Sequence, residues 1–208
     1  MGGGFAQLAD ASCESYPNVD VYRRATSLIG VSPERSFVFD VFYVRGGNQH
    51  DFLLHGSQAD FSCDPSLGPV REGGSLAGED VPYEQFYDDP ELKNKRLSSV
   101  PYTGYNGSGY QFLTNVQTGR LEGRAVADWE LTEPFEGQPE RPWNGIGLRA
   151  HLVGEDQVLF ACDGPVQKYK YLPKSVKFLV RRRTGENLQS RFVSVFEPYE
   201  SGHWIESV

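Results

Sequence analysis

The sequence is poor in basic residues, and this limits the partners that it can have. Its 208 residues include 20 Lys and Arg against 28 Asp and Glu, which gives a formal net charge of -8. A protein that neutralises phosphate groups needs a basic domain surface. The composition therefore argues against a nucleic-acid-binding protein.

Long apolar runs and paired cysteines are also missing. No window approaches the roughly 18 apolar residues that a transmembrane helix needs, and the start at Met1–Gly4 has neither the charged nor the apolar part of a signal peptide. Cys13, Cys63 and Cys162 are far apart and form no CxxC pair, so neither a disulfide framework nor a zinc knuckle is indicated. We expect no bound metal, no cofactor and no membrane partner.

Helical periodicity is almost absent, and strand signals dominate instead. Short runs of alternating apolar and polar residues are separated by turn-forming residues, among them 23 Gly and 13 Pro. The one helix-compatible stretch, Tyr83–Tyr87, lies between Pro82 and Pro90. The sequence therefore predicts an all-β chain with less than about a tenth of its residues in helix.

Four pairs of strand-like runs are predicted to form hairpins, and a separate strand is predicted at His50–His55. The pairs are Val19–Ile29 with Ser36–Val44, Tyr110–Val116 with Gly123–Leu131, Ile146–Val153 with Gln157–Ala161, and Val176–Arg183 with Leu188–Phe196. Repeated hairpins favour an antiparallel β-sandwich of two sheets. We expect residues 1–208 to form one such domain.

A long excursion at about residues 64–106 interrupts the strand pattern. It carries eight acidic residues against four basic ones. Loops of this length are uncommon inside a compact domain and are usually functional or mobile. We predict that the segment is mainly loop.

Charged residues inside apolar runs are candidates for binding. Asp40 interrupts Phe37–Val44, and a buried unpaired carboxylate costs several kcal/mol, so an ion pair with Arg24 is the favoured interpretation. The alternative is that Arg24, or Arg45 at the end of the same run, binds a substrate carboxylate, because a guanidinium offers two-point geometry.

The two nearest histidines form the densest titratable cluster, together with Asp51. On a strand, His50 and His55 project to opposite faces, which disfavours a joint metal site. Structural roles are favoured: a buried His55 bonded to the backbone, and a His50-Asp51 pair that orders a turn. The alternative is a place in a sugar-binding cleft, where both would be weak catalytic candidates.

Aromatic residues supply possible platforms for sugar rings. Trp143 stands between Pro142 and Asn144, and Tyr105 lies in a Gly-rich loop, so both are predicted to be exposed. Trp129, inside a strand run, is predicted to pack in the core.

A run of seven basic residues contains no acid: Lys168, Lys170, Lys174, Lys177 and Arg181–Arg183. The favoured interpretation is a solvated edge strand, where Lys prevents unwanted pairing. The alternative is a contact for an anionic sugar or a partner domain.

An ordered set of short segments resembles the β-sandwich part of heparinase II/III-like polysaccharide lyases. The segments are Tyr22-Arg23-Arg24, Phe37–Gly47, Gln49-His50-Asp51, Leu54-His55-Gly56 and Phe192–Tyr199. Their order and spacing agree from roughly Tyr16 to Tyr199. No single segment is distinctive, but the ordered combination is.

The resemblance implies a supersandwich-like fold that works with an N-terminal helical toroid on a uronic-acid-containing polysaccharide such as a glycosaminoglycan. It also implies cleavage by β-elimination, with a base at C5, a group that neutralises the carboxylate and an acid for the leaving oxygen. A secreted or periplasmic location follows from the same likeness.

The family's usual catalytic residues lie on the toroid and at the start of the sandwich, and none can be carried over to this chain. We expect the 208 residues alone to be inactive, either as a lyase domain whose partner is the toroid or another chain, or as an independent carbohydrate-binding or assembly module.

Overall fold

The computed structural model describes residues 4–56, 60–93, 95, 99–100, 104–131, 145–166 and 175–208. Within these ranges the chain is all-β, with 58% of residues in strands and no α-helix, so the all-β part of the predicted fold class is confirmed. A short 3₁₀ turn at Tyr110–Phe112 replaces the start of a predicted strand. No helix in the described part is long and apolar enough to cross a membrane.

The described residues form nine strands in one strongly curled antiparallel sheet. In chain order they are β1 (Phe5–Ser12), β2 (Val21–Gly30), β3 (Ser36–Arg45), β4 (Gln49–His55), β5 (Asp60–Asp64), β6 (Thr114–Glu130), β7 (Ile146–Pro165), β8 (Ser175–Thr184) and β9 (Gln189–Glu200). The main path runs β1-β2-β3-β9-β7-β6-β5. Because hydrogen bonds connect every strand, a sandwich of two separate sheets is not confirmed.

The sheet divides into two branches at β7, and we call this point the fork. The first half of β7, Ile146–Val153, pairs with β9, whereas the second half, Val158–Pro165, pairs with β8. β3 extends the β9 branch and β4 extends the β8 branch. β6 pairs with β7 along both halves. The two branches therefore share a pair of long strands.

Only the first of the four predicted hairpins is confirmed, as β2 paired with β3. β6 and β7 each run straight through a predicted turn, at residues 117–120 and 154–156. A Cβ at Gly119 would come within 2.5 Å of the Leu67 side chain, and one at Gly154 within 2.1 Å of Gln157. These glycines mark close approaches within long strands, although their local sequence is typical of turns.

The last predicted hairpin and the predicted edge strand are also wrong. β8 and β9 follow each other in sequence but pair with different halves of β7. β8 lies between β4 and β7, so the basic run does not protect a sheet edge there. Lys168, Lys170 and Lys174 lie outside the described residues. The sheet edges include β1, which the sequence pattern did not predict and whose eight residues are all exposed.

Aromatic rings hold the two branches together. Phe42 on β3, Phe52 on β4 and Phe192 on β9 are buried, and their ring centroids are 5.7 to 6.1 Å apart. Burying a side chain of this size contributes about 1.5–3 kcal/mol. Trp129 packs in a second cluster as predicted, 2% exposed, and its indole N–H donates to the Lys177 carbonyl at 3.0 Å.

The described part of the acidic excursion is mainly loop, as predicted, and it packs against the sheet. Leu76 and Phe86 are buried, and the Leu76 N–H donates to the Leu113 carbonyl at 2.8 Å. Leu76 shares a core cluster with Val180 of β8. The loop therefore covers apolar surface on the β8 branch.

The three free thiols differ in their environment, which predicts a graded reactivity. Burial raises the pKa of Cys162 to about 12, and burial together with Asp64 raises that of Cys63 to about 11. The Ser15 N–H lowers the pKa of Cys13. Since the thiolate is the nucleophile, a disulfide reagent at pH 8 is expected to modify Cys13 at least tenfold faster than the other two. Mass spectrometry of the labelled peptides measures this order, and rapid modification of Cys162 in native protein would contradict it.

Candidate functional site

The predicted pair of Arg24 and Asp40 is confirmed. Asp40 is completely buried, and its carboxylate accepts hydrogen bonds from Arg24 Nε and from the Thr26 hydroxyl, both at 2.7 Å. The Arg24 guanidinium lies 5.2 Å from the centre of the Phe52 ring. Arg24 is therefore engaged in holding the core, although half of its side chain remains exposed.

The two histidines on β4 have different environments. They lie on opposite faces, as predicted: His50 is buried and its ring nitrogens contact Ser190 Oγ at 2.8 Å and the Gly46 carbonyl, which orders the turn after β3. The expectation of a buried His55 is wrong: His55 is exposed at the end of β4, which pairs only with β8 among the described strands. His55 Nδ1 lies 3.1 Å from the Gly56 carbonyl.

The remaining predicted binding residues are scattered. Arg45 forms an exposed pair with Asp20 at 3.4 Å. The Tyr105 hydroxyl donates to Asp88 at 2.9 Å, and its ring packs on Phe86, so it stabilises its own loop. Trp143 lies outside the described residues. None of the predicted residues lines the cavities described next.

Three adjoining cavities follow one face of the sheet, and together we call them the arginine groove. Their volumes are about 270, 470 and 200 Å³. The first and second share Arg191, and the second and third share Arg124 and Val153. The basic residues along the groove are Arg23, Arg191, Arg183, Arg124, Arg149 and His151.

Strand register explains why these side chains share one face. Arg191 on β9 is opposite Tyr43 on β3, which is opposite Arg23 on β2. On the other side, Val193 is opposite Val153, which is opposite Arg124 on β6. Residues in register point to the same face, away from the core. The groove crosses five strands, and four intervals of about 4.8 Å make it about 19 Å wide.

The groove carries more positive charge than its own partners neutralise. Arg149 pairs with Asp128 at 2.8 Å, and Arg23 pairs with Asp10. Arg183 donates to the Gln189 carbonyl at 2.6 Å. In the described part of the chain, the guanidinium groups of Arg124 and Arg191 make no hydrogen bond and no ion pair.

A carboxylate network lies beneath the third cavity. Glu197 on β9 is completely buried; it contacts His151 Nε2 at 3.0 Å and accepts the N–H groups of Trp204 and Ile205. Burial alone would raise its pKa, but these hydrogen bonds outweigh burial and hold the pKa of Glu197 below its ordinary value. The carboxylate thus remains charged near neutral pH and fixes the chain that follows β9.

A second carboxylate, Asp128, organises the neighbouring side chains. It accepts from Arg149 and, at 2.6 Å, from the Tyr199 hydroxyl, and His203 Nε2 lies 3.4 Å away. Burial and the nearby Asp128 raise the pKa of Tyr199. Tyr199 therefore stays protonated at neutral pH and donates its hydroxyl proton to the Asp128 carboxylate.

The groove could not be recognised in the sequence, because its arginines come from β2, β6, β7, β8 and β9. Arg124 and Arg191 stand in ordinary strand alternation, and only the pairing register brings them together.

Among the described residues, no group of three or more His, Cys, Asp or Glu is placed to hold a metal ion. No family model and no curated protein matches the chain.

Proposed function

We propose that this chain is a β-domain that binds an acidic polysaccharide along the arginine groove. The observation that carries the proposal is the row of three joined cavities containing two guanidiniums, Arg124 and Arg191, without protein partners among the described residues. A guanidinium presents paired N–H donors that match carboxylate and sulfate oxygens. An open groove crossing five strands suits an extended chain better than a single small ion.

The first cavity also favours a sugar. Between Arg23 and Arg191 its surface is formed by Ala25, Val41 and Tyr43. An aromatic ring beside an apolar floor can pack against the carbon face of a sugar, while the flanking arginines bind its charged group. Nucleic acid is the less favoured polyanion, since among the described residues that line the three cavities Tyr43 is the only Phe, Tyr or Trp on which a base could stack.

The wider assignment is a second proposal. We propose that the domain is the β-sandwich part of a heparinase II/III-like polysaccharide lyase, with the two branches of the curled sheet serving as its layers. Its support is the ordered set of sequence segments alone. Under this proposal the catalytic cleft forms only with a helical toroid, and the groove holds the polysaccharide beside it.

Replacing Arg124 and Arg191 by Gln tests the proposed binding. Each charge-assisted contact is worth about 1 kcal/mol at a solvated site, so the double variant is expected to bind heparin about 30-fold more weakly than the wild type at low salt. Titration calorimetry measures the dissociation constant. The matched control is Arg45→Gln with Arg120→Gln, which removes the same charge at exposed sites outside the groove.

The outcomes separate the alternatives. An equal loss of affinity in both double variants would mean that heparin responds only to overall charge, and it would refute a site in the groove. Tighter binding of a single-stranded DNA oligonucleotide than of heparin would replace the polysaccharide with nucleic acid as the ligand. If Arg124→Gln with Arg191→Gln binds heparin as tightly as the wild type, the proposal is refuted.

A further inference from the structure

We propose that residues 203–208, the C-terminal strap, regulate the arginine groove by covering its β6–β7 end and competing with the bound polyanion. This inference rests on the proposed function, because it concerns access to the same groove. Three observations support it: the strap lines the third cavity, few contacts hold the strap after Ile205, and Glu206 brings a negative charge into the groove.

The strap forms one wall of the third cavity. Ile205, Glu206, Ser207 and Val208 line this cavity opposite Arg124, Arg149 and His151. Arg124 also lines the second cavity, so the strap begins where the open part of the groove ends. A chain lying along the groove would meet the strap at Arg124.

Two anchors hold the strap. The first is Glu197, which accepts the N–H groups of Trp204 and Ile205. The second is the Trp204 ring, whose centre lies 5.7 Å from the Arg35 guanidinium and 6.2 Å from the Phe37 ring. Three further contacts hold the same residues: the ring of His203 packs on Tyr199 at 4.2 Å, His203 Nε2 lies 3.4 Å from Asp128, and the Trp204 indole N–H donates to the Pro198 carbonyl at 3.4 Å.

The end of the strap is weakly attached. Residues 203–208 are not part of any strand in the described structure, and Glu206, Ser207 and Val208 make no hydrogen bond or ion pair with its described residues. Segments with few buried contacts and exposed backbone open at low free energy. Loss of the Ile205 N–H contact is therefore expected to loosen the strap while the sheet stays folded.

The strap also places a negative charge in a positive groove. Glu206 is the one carboxylate residue that lines the three cavities in the described part of the chain. Its charge lowers the positive potential that an incoming polyanion meets. The strap blocks access to Arg124, and the charge of Glu206 repels a polyanion there, so both effects weaken binding at Arg124.

Two variants test the strap by independent routes. Ile205→Pro removes the N–H that donates to Glu197, and Ser207→Pro is its matched control, since no hydrogen bond of the Ser207 N–H is involved in either anchor. Glu206→Gln removes the charge and leaves both anchors. We expect Ile205→Pro to bind heparin 3- to 10-fold more tightly than the wild type, Glu206→Gln 2- to 3-fold more tightly, and Ser207→Pro unchanged.

Hydrogen exchange of the Trp204 amide reports strap release without any ligand. Faster exchange in Ile205→Pro together with tighter heparin binding supports the regulation. Faster exchange of the Trp204 amide with equal or weaker heparin binding would show that the strap forms part of the binding site. It would overturn the proposal that the strap competes with the polyanion. Unchanged exchange would overturn the anchoring by Glu197.

The result is also distinct from a failure of the proposed function. If Arg124→Gln with Arg191→Gln binds heparin as well as the wild type, the groove is not the site and both proposals fail. If that variant loses binding while Ile205→Pro and Glu206→Gln bind like the wild type, the groove stands and only the strap regulation is refuted.

Discussion

Replacing Arg181 by Ala is expected to lower the free energy of unfolding by about 4 kcal/mol or more, which is a large effect for a single substitution. Arg181 on β8 is completely buried. Its guanidinium donates to the carbonyls of Val153 and Val193, both at 2.9 Å, and to Gln157 Oε1 and Ser194 Oγ, both at 2.8 Å. Each buried acceptor left without a donor costs about 1–3 kcal/mol.

The position of Arg181 at the fork explains the size of the effect. The pairing of β7 with β9 ends at Val153, and the pairing of β7 with β8 begins at Val158. The Val153 and Val193 carbonyls at this divergence both accept hydrogen bonds from the guanidinium, which joins the two branches there. Burial lowers the pKa of Arg181 to about 9, while Asp40 opposes this shift. The side chain therefore stays protonated at neutral pH and can donate to all four acceptors.

Urea unfolding followed by tryptophan fluorescence measures the change. Arg183→Ala is the control, two residues further along β8 and lining the groove, and it is expected to change the unfolding free energy by less than about 1 kcal/mol. Arg181→Met fills a similar volume without any donor. If Met restores the stability that Ala loses, the effect arises from packing and the account based on unpaired carbonyls is wrong.

Local sequence signals were sufficient for part of the fold. The hairpin of β2 and β3 has strong strand residues on both sides of the Ser32-Pro33 turn, and its contacts are close in sequence. The pair of Arg24 and Asp40 follows from the same hairpin, since a buried carboxylate needs a nearby cation. These predictions depended only on residues within about 20 positions of one another.

Long-range pairing could not be predicted in this way. Gly119 and Gly154 have the composition of turns, and only the close neighbours Leu67 and Gln157 show that they serve contact within a strand. The groove is harder still to predict, because Arg23 and Arg191 line one cavity through their common strand neighbour Tyr43, and Arg191 is far from both in sequence. Nothing in a local pattern specifies that register.

Binding to the arginine groove is expected to strengthen with the length of the ligand and then to level off. A single charged sugar in the first cavity engages Arg191, whereas a fragment that continues into the third cavity also engages Arg124. At about 1 kcal/mol for each charge-assisted contact, the second unpaired guanidinium is expected to raise the affinity about fivefold. Fragments that exceed the roughly 19 Å of the groove should gain little more.

A series of size-defined heparin fragments, from disaccharide to decasaccharide, tests this at constant low salt by titration calorimetry. We expect the dissociation constant to fall by about fivefold along the series and then to level off. Arg124→Gln should flatten the rise, because it removes the far guanidinium, and Arg120→Gln should leave it intact. An affinity that grows only in proportion to the number of charges, with no plateau, would mean that the polymer contacts the surface at random. The groove would then not be the binding site.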